Sequence, residues 1–349
     1  MEVNLAGRLV GKGHPPYLIA EIGANHNGDI ELAKRMIDAA KRCGADAVKF
    51  QSWSSTSLIS RAEYARNTSY ADTDRHFGSL LEMVQTYQLT PLQHHELVNY
   101  CSEQEIHFLS SAFSPEEVDL LVEIDVPALK VASMDVNHPV LLRRMAETGK
   151  PVLLSTGMAS MAEIAGAVDT LRGAGCRELV VLHCVSLYPP PDTELNLRNI
   201  GMLETAFQVP VGFSDHSLGT AIALGAVALG ACIVEKHFTL DKAMPGWDHW
   251  MSADPEELTT ISGGARQIHQ ALGGSARIVG GAELDKRKKF RRCIVLRNNV
   301  SVGHKLQLAD LDFKRPGTAI PPTDYPYVVG RTVRRDLEAD HELSWSDLE

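Results

Sequence analysis

Two histidines, His216 and His237, stand 21 positions apart, each near the polar end of a short β-rich run. They cannot share a helix face, but they can share a site if the two runs are neighbouring strands of a barrel. Two imidazoles, with water and substrate oxygens completing the shell, suit a divalent metal such as Mn, Zn, Co or Fe. The pair therefore predicts a metal site, provided that the fold brings the two strands together.

Two lysines lie inside otherwise apolar runs, Lys49 in ADAVKFQ and Lys130 in ALKVAS. A buried charge is costly unless it finds a partner. Cations and hydroxyl donors that converge on one mouth form an anion pocket, so we expect a phosphate or carboxylate ligand. The alternative is two structural lysines whose ammonium groups extend to solvent. The hydroxyl groups at the neighbouring strand ends belong to Ser111, Ser133, Ser155 and Ser214.

Two further polar residues have roles that the sequence leaves open. Glu21 ends the first run, which would adjoin the eighth run in a closed barrel. It could bind a metal, act as a base or hold a sugar hydroxyl. His183 lies deeper in its run and is expected to be a hydrogen-bonded core residue.

The elements that must position these residues alternate between β-rich runs and helix-period segments, which predicts an α/β fold with a parallel sheet. Eight such units match a (β/α)8 TIM barrel. The alternative, an open doubly wound sheet, usually carries GxGxxG after its first strand, and EIGANHNG lacks it. The predicted strands are 17–23, 45–51, 107–113, 128–133, 151–157, 178–185, 209–215 and 232–238. The predicted helices are 31–43, 91–104, 115–124, 138–147, 160–173, 197–206, 218–229 and 255–271.

Composition narrows the class of protein. The 349 residues carry 34 basic and 44 acidic side chains, a net charge of -10, which disfavours nucleic acid as a main partner. Six scattered cysteines without a CxxC motif, and an N-terminus without an apolar signal region, predict a cytoplasmic protein with reduced thiols. The apolar run 218–234 is divided by three glycines, so we predict no membrane segment there.

Three other segments complete the predicted organisation. A long polar insertion, 52–77, follows the second strand and has the length of a lid or binding loop. Residues 1–275 are assigned to the barrel and the Gly-rich, basic stretch 276–292 to a linker. Residues 293–349 are assigned to a small β-rich domain, with strands expected in CIVLRNNV, in 306–313 and in YVVGRTV.

The motifs, taken together and in order, resemble the sialic acid synthases, the phosphoenolpyruvate-condensing nonulosonate synthases. The resemblance covers nearly the whole chain. The motifs are AEIGANHNG (20–28), VKFQ (48–51), LKVASMD (129–135), LLSTGM (153–158), LHCVSLYPPP (182–191), GFSDHS (212–217), EKHFT (235–239) and KRPGTAI (314–320).

This resemblance implies a TIM barrel with a C-terminal antifreeze-like (SAF, β-clip) domain, in a domain-swapped homodimer where each small domain caps the partner's barrel. It implies condensation of phosphoenolpyruvate with the open-chain aldehyde of an N-acetylated amino sugar. The products are a nine-carbon 2-keto-3-deoxy sugar acid and phosphate. A divalent metal, Mn or Mg, is the implied cofactor.

The resemblance also implies roles for individual residues. His216 and His237 resemble the metal ligands, and Arg315 resembles an arginine that crosses the dimer to the sugar's N-acetyl group. The residues that resemble the phosphoenolpyruvate cradle are Lys49, Ser111, Lys130, Ser133, Ser155 and Ser214. Those that resemble sugar-side or acid–base groups are Glu21, Gln51, Tyr188 and Asp248. Phe113, Asp135 and Ser186 complete the expected substrate-binding set.

Departures from the family pattern leave the identity of the sugar substrate undecided. Ser111, Asp135 and Ser186 stand where the sialic acid enzymes usually have Thr, Glu and Asn. MPGWDHWM (244–251) places two tryptophans around Asp248, either as core or as part of an altered sugar pocket. N-Acetylmannosamine is the first expectation, and a diacetamido-trideoxyhexose leading to legionaminic or pseudaminic acid is the second. A metal-dependent phosphosugar aldolase or isomerase, and a non-catalytic sugar-binding relative, are the alternatives of other classes.

Overall fold

A closed barrel of eight parallel strands forms the first part of the chain, as predicted, with each strand paired to the next in sequence and the eighth to the first. The computed structural model describes residues 1–69, 71–72, 75–76 and 78–349. The barrel strands are β1 (Tyr17–Glu21), β2 (Ala47–Ser52), β3 (His107–Ala112), β4 (Leu129–Val131), β5 (Val152–Ser155), β6 (Leu179–Cys184), β7 (Val211–Asp215) and β8 (Ile233–His237).

Eight helices follow these strands, and local sequence signals set their starts. Asp29, Thr90 and Ser160, for example, cap helix N-termini by accepting hydrogen bonds from backbone N–H groups. The helices are α1 (Ile30–Arg42), α2 (Pro91–Glu103), α3 (Pro115–Glu123), α4 (Pro139–Glu147), α5 (Met161–Gly173), α6 (Asn199–Phe207), α7 (Ala221–Ala228) and α8 (Pro255–Leu272).

Helix α7 is shorter than the predicted 218–229. Gly219 has φ +71, a left-handed conformation outside the helical range, so the helix begins after it. None of the helices in the described ranges combines the length and apolarity needed to cross a membrane.

An N-terminal hairpin, Glu2–Leu5 and Arg8–Gly11, was not predicted. Its Val3, Leu5 and Val10 are buried in one apolar cluster with inward-facing residues from the amino ends of the barrel strands, such as Tyr17 and Ile19. The hairpin therefore packs onto the amino end of the barrel and leaves the carboxyl ends for chemistry.

The segment between β2 and α2 contains two helices, Arg61–Arg66 and Leu80–Tyr87, and a two-residue pairing of Ala71–Asp72 with Arg75–His76. The predicted insertion 52–77 thus overlaps β2 by one residue. Its positions 70, 73, 74 and 77 lie outside the described residues.

The chain divides into two units, Met1–Gly273 and Gly274–Glu349. In the second unit, Cys293–Leu296 pairs antiparallel with Leu311–Lys314 around an apolar core that includes Val328 and Leu343. The predicted linker 276–292 contains a helix, Gly281–Phe290. The strand expected in YVVGRTV was wrong at its start, because the first two residues of that run end a short helix, Tyr325–Val328. The Pro326 ring pre-sets a helical φ in the first turn, which outweighs the β preference of the valines.

Candidate active site

The carboxyl ends of the barrel strands surround a cavity of about 260 Å³, here termed the charged basin. Thirteen of the predicted site residues line it: Glu21, Lys49, Gln51, Ser111, Phe113, Lys130, Ser133, Ser155, Ser186, Tyr188, Ser214, His216 and His237. Asp248 lines a neighbouring cavity, and Arg315 belongs to the second unit. Asp135 is not among the described wall residues of either cavity.

One buried ammonium, that of Lys49, lies between two carboxylates. Strand register places Lys49 beside Glu21, and its Nζ lies 2.7 Å from Glu21 Oε2 and 3.9 Å from Glu235 Oε2. It also donates to Ser111 Oγ at 3.3 Å. Burial opposes the charge on Lys49, but the two carboxylates outweigh it and raise its pKa. Lys49 is therefore a buried cation that Glu21 and Glu235 hold in place.

The ammonium of Lys130 has a different environment. It donates to Ser155 Oγ at 2.7 Å and to the Val131 carbonyl at 2.8 Å, and it forms no ion pair with any carboxylate in the described part of the chain. It is 2% exposed, and this burial lowers its pKa. Lys130 is thus a buried cation at the basin wall with neutral oxygens as its hydrogen-bond partners.

The pKa values of the two buried carboxyl groups, Glu21 and Glu235, are shifted in opposite directions. Burial raises the pKa of Glu21 despite the attraction of Lys49, and Gln51 donates to its Oε1 at 2.8 Å. Burial also opposes ionisation of Glu235, but Lys130 and Lys49 outweigh it and lower its pKa. Ser214 donates to Glu235 Oε1 at 2.9 Å, so this hydroxyl faces a carboxylate in the structure. Glu21 is the group of the two that is suited to hold a proton.

The His216 and His237 rings meet with centroids 5.3 Å apart, as the strand order requires. His216 Nδ1 lies 2.9 Å from the Val185 carbonyl, so the neutral ring donates there and leaves Nε2 as an acceptor. His237 Nδ1 is buried without a hydrogen bond, 3.6 Å from Asp248 Oδ2. Burial and the positive charges around it hold the pKa of His237 well below its ordinary value. Burial opposes the charge on His216, but Cys184 and the Val185 carbonyl outweigh it and raise its pKa. In its neutral form, each ring can present a lone pair.

A buried ion pair fixes the strands that hold these histidines. Lys236 Nζ lies 2.8 Å from Asp215 Oδ2, and Asp215 Oδ1 accepts from the Ser217 N–H and hydroxyl. Because side chains alternate along a strand, Lys236 faces away from the basin while Glu235 and His237 face into it.

The other predicted residues make ring contacts or single hydrogen bonds. The Tyr188 ring lies 4.1 Å from that of His216, and Phe113 packs edge-on against Trp53. Ser133 Oγ accepts from the Gly157 N–H at 3.0 Å. His183 Nε2 lies 2.6 Å from the Leu195 carbonyl, which is the hydrogen-bonded core position that was expected.

A second cavity of about 490 Å³, here termed the apolar cavity, adjoins the charged basin. The two share Gln51, Trp53, Leu58, Met134, Tyr188 and His237 as wall residues. The described residues that line only the apolar cavity are Ala24, Ile59, Leu80, Met83, Tyr87, Trp247, Asp248, Trp250 and Met251. Both tryptophans of MPGWDHWM thus line a cavity beside the basin.

Sequence reasoning missed two titratable basin residues, Glu235 and Cys184. A signal for Glu235 was present, since strand alternation puts it on the same face as His237. Cys184 follows His183 and alternates with it in the same way. Burial opposes ionisation of the Cys184 thiol, but His216 and other neighbours lower its pKa to about 7.

Comparison with known proteins identifies the family. The NeuB family matches residues 36–277, and the SAF domain matches 291–349. The chain is 38% identical to the N,N'-diacetyllegionaminic acid synthase of Campylobacter jejuni, over 93% of this chain and 97% of that protein. It is 36% identical to the Legionella pneumophila protein of the same name, over 95% and 94%.

A solved structure extends the likeness to the fold. The N-acetylneuraminic acid (sialic acid) synthetase of Leptospira borgpetersenii is 33% identical, with a TM-score of 0.74 over 82% of this chain and 95% of that one. The resemblance and the barrel-plus-SAF fold predicted from the sequence are both confirmed. The chain belongs to the NeuB family, whose members are phosphoenolpyruvate-dependent transferases that form carbon–carbon bonds, and it is an enzyme of that class.

Proposed function

We propose that this chain is a nonulosonic acid synthase that condenses phosphoenolpyruvate with the open-chain aldehyde of N-acetylmannosamine or a related acetamido hexose. The products are a nine-carbon 2-keto-3-deoxy sugar acid and phosphate. The observation behind this proposal is Lys130, a buried ammonium that faces the basin with only neutral hydrogen-bond partners among the described residues. Glu235 attracts this ammonium without forming an ion pair with it in the described structure, so a bound anion would complete the compensation of its charge.

Phosphoenolpyruvate is the anion that fits. Lys130 and Lys49 supply positive charge, and Ser111, Ser133 and Ser155 supply hydroxyl donors around the same volume. Charge-assisted hydrogen bonds of this kind hold phosphate and carboxylate oxygens. The preformed donors also stabilise negative charge as phosphate departs, without reorganisation at the moment of reaction.

His216 and His237 fit a divalent metal, Mn or Mg, as two protein ligands. The fit rests on the buried, hydrogen-bond-free Nδ1 of His237 and on the His216 ring, whose Nδ1 is oriented by the Val185 carbonyl. Among the described residues, no group of three or more His, Cys, Asp or Glu side chains is placed to hold a metal. Oxygen atoms of the sugar and water would therefore complete the shell.

The residues of the chain divide the reaction between them. A bound metal supplies Lewis-acid polarisation of the aldehyde oxygen. Lys49 and Lys130 hold phosphoenolpyruvate while its C3 bonds to the aldehyde carbon, and water adds at C2 before the C2–O bond breaks and phosphate leaves. Glu21, whose pKa is raised by burial, handles protons around the attacking water and the sugar.

The proposed enzyme works as a homodimer. Each small domain caps the partner's barrel, and Arg315 of the partner subunit reaches the N-acetyl group of the sugar. The support is the match of residues 291–349 to the SAF domain, together with the family resemblance of KRPG. Arg315→Ala should raise the sugar KM at least tenfold and leave the phosphoenolpyruvate KM unchanged. A monomer at assay concentration, by light scattering, would contradict the arrangement.

The experiment that tests the function is a phosphate-release assay with Mn over a panel of hexosamines. Release should require both phosphoenolpyruvate and the sugar, and His237→Ala should lose metal-dependent release while its circular dichroism is unchanged. Turnover of a phosphosugar without phosphoenolpyruvate would favour an aldolase or isomerase. Sugar binding that persists in His216→Ala, with no turnover by the native protein, would favour a non-catalytic protein.

The identity of the sugar has two candidates. N-Acetylmannosamine is one, and a diacetamido-trideoxyhexose that gives legionaminic or pseudaminic acid is the other. The two relatives named N,N'-diacetyllegionaminic acid synthase support the second candidate.

A further inference from the structure

Asn25 belongs to the AEIGANHNG motif but has no part in the proposed function, and its side chain is completely buried. It follows β1 at the carboxyl end of the barrel, and its backbone N–H donates to the Ile22 carbonyl at 2.8 Å. A buried amide costs free energy unless its hydrogen-bonding groups find partners. The partners of the Asn25 amide therefore show which parts of the fold it holds together.

Both amide hydrogens of Asn25 have partners. Nδ2 donates to the Phe238 carbonyl at 2.9 Å and to Ser252 Oγ at 2.9 Å, whereas Oδ1 is buried and makes no hydrogen bond in the described structure. The Ser252 hydroxyl donates its own hydrogen to the Asp248 carbonyl at 2.7 Å, so towards Asn25 it acts as an acceptor. Both groups that face Nδ2 are therefore acceptors, and residue 25 must supply two donors.

These two hydrogen bonds join the end of β8 to the loop that follows it. Phe238 comes directly after His237, one of the two proposed metal ligands. Ser252 closes the turn that carries Asp248, whose Oδ2 lies 3.6 Å from His237 Nδ1. The amide of Asn25 therefore links, from the end of β1, the segment that carries the imidazole and the segment that carries the carboxylate beside it.

A second asparagine of the same motif holds a different part of that loop. Asn27 Nδ2 donates to the Pro245 carbonyl at 2.8 Å, and its Oδ1 lies 3.3 Å from His249 Nε2. A Cβ at Gly246 would lie 2.5 Å from the same oxygen, so the absence of a side chain there permits the close approach. None of the described hydrogen bonds of Asn27 reaches the end of β8, so Asn27 provides a matched comparison for Asn25.

We propose, resting on the proposed function, that Asn25 is a positioning residue for the metal site. By holding Phe238 and Ser252 at once, its amide fixes the His237 imidazole relative to the Asp248 carboxylate. Replacing a group that orients a metal-binding histidine typically weakens metal binding by about 10- to 100-fold. Asn25 is not among the described wall residues of either cavity, so it acts through these neighbours and not by contact with a substrate.

The test measures the Kd of Mn²⁺ for the full-length protein by electron paramagnetic resonance, at a temperature well below the unfolding midpoint of each variant. Asn25→Asp keeps the size of the side chain but places acceptors opposite the Phe238 carbonyl. It should raise the Mn²⁺ Kd by about tenfold or more, whereas Asn27→Ala should change it by less than about twofold. Asn298→Asp, at an exposed position in the second unit, is the control for the added charge and should leave the Kd unchanged.

Ser252→Ala keeps the inference testable if Asn25→Asp does not fold, because it removes one acceptor of the Asn25 amide without adding a charge. It should raise the Mn²⁺ Kd by about threefold or more. Ser262→Ala is its control, since the Ser262 hydroxyl is also buried but donates to the Gly44 carbonyl. A lower unfolding midpoint with an unchanged Kd, or an equal rise in Asn27→Ala, would overturn the positioning role and leave the synthase function standing. Failure of the native protein to bind Mn²⁺ would overturn the proposed metal pair, and this inference with it.

Discussion

The charged basin and the apolar cavity share a rim but are built on opposite physical principles. In the basin, Lys49, Glu21 and Glu235 hold one another by ion pairs, and serine hydroxyls bind them in turn. In the apolar cavity, residues such as Ile59 and Leu80 offer aliphatic surface. The difference teaches that one barrel mouth can place charged and aliphatic surfaces side by side, with Gln51, Tyr188 and His237 common to both.

The two regions should therefore respond differently to substitution. Removing one buried charge leaves its former partners uncompensated, so the effect is large and is not confined to one contact. Removing aliphatic surface costs roughly 25 cal/mol per Å², so the effect is graded. Substitutions that fail to follow this division would break the comparison.

The largest effect is expected for Lys130→Met, which removes the basin cation that has only neutral partners among the described residues. Loss of a preorganised charge at the anion should lower kcat/KM by about 10³-fold or more. Steady-state phosphate release measures it. Lys150→Met is the control, because Lys150 pairs with Asp125 beside the opposite, amino end of β5. Equal losses in both variants would contradict the basin assignment.

Glu235→Gln should come next. The substitution keeps the shape but removes the carboxylate that Lys49, Lys130 and Ser214 surround. We expect a loss of kcat of about 10²-fold, together with an altered phosphoenolpyruvate KM, since the basin becomes more positive. Glu31→Gln, on an exposed face of α1, is the control. Wild-type kinetics for Glu235→Gln would mean that this carboxylate is only structural.

A smaller effect is expected in the apolar cavity. Ile59→Ala removes aliphatic surface, and a loss of about 1 kcal/mol corresponds to a rise of about fivefold in the sugar KM. The phosphoenolpyruvate KM should not change. Ile278→Ala, at a residue 77% exposed in the second unit, provides the matched control. A hundredfold loss in Ile59→Ala would show that this region also acts by a precise polar or steric requirement.

The smallest effect concerns Asp135, which is outside the described walls of both regions and should affect stability alone. Burial raises its pKa from 3.8 to about 6, and its Oδ2 makes no hydrogen bond in the described structure. The folded state therefore holds this proton more tightly than the unfolded state, so stability falls as pH rises through that window. Asp135→Asn should raise the unfolding midpoint by about 2 °C at pH 7.5 and not at pH 3.5, measured by calorimetry. A loss of activity would place Asp135 in the substrate site after all.

The barrel could be predicted from the sequence because its signals are local. Strands such as Leu179–Cys184 are apolar throughout, as burial on both faces requires, and helix caps such as Asp29 and Thr90 stand at their proper positions. The basin could be predicted because catalytic residues of such barrels lie at the carboxyl ends of the strands. That rule identified Lys49, Lys130 and the two histidines as candidates.

What escaped prediction depends on tertiary contacts. The N-terminal hairpin is formed by two strands of four residues, too short to show a period, and its burial comes from the barrel. The partners of Ser214 depend on the register of β7 with β8, which decides that its hydroxyl meets Glu235. The shape and polarity of the apolar cavity also arise from segments far apart in sequence, such as Ile59 and Met251.

The N-terminal hairpin has a consequence for traffic through the enzyme. Val3, Leu5 and Val10 pack against the inner residues at the amino end, so the described residues cover that end of the barrel with apolar side chains. Under the proposed function, the nine-carbon product, larger than either substrate, must leave by the end that admitted both. Any segment that covers the carboxyl end would then control both substrate entry and product release. If product release is slow, a burst of phosphate should appear in the first turnover.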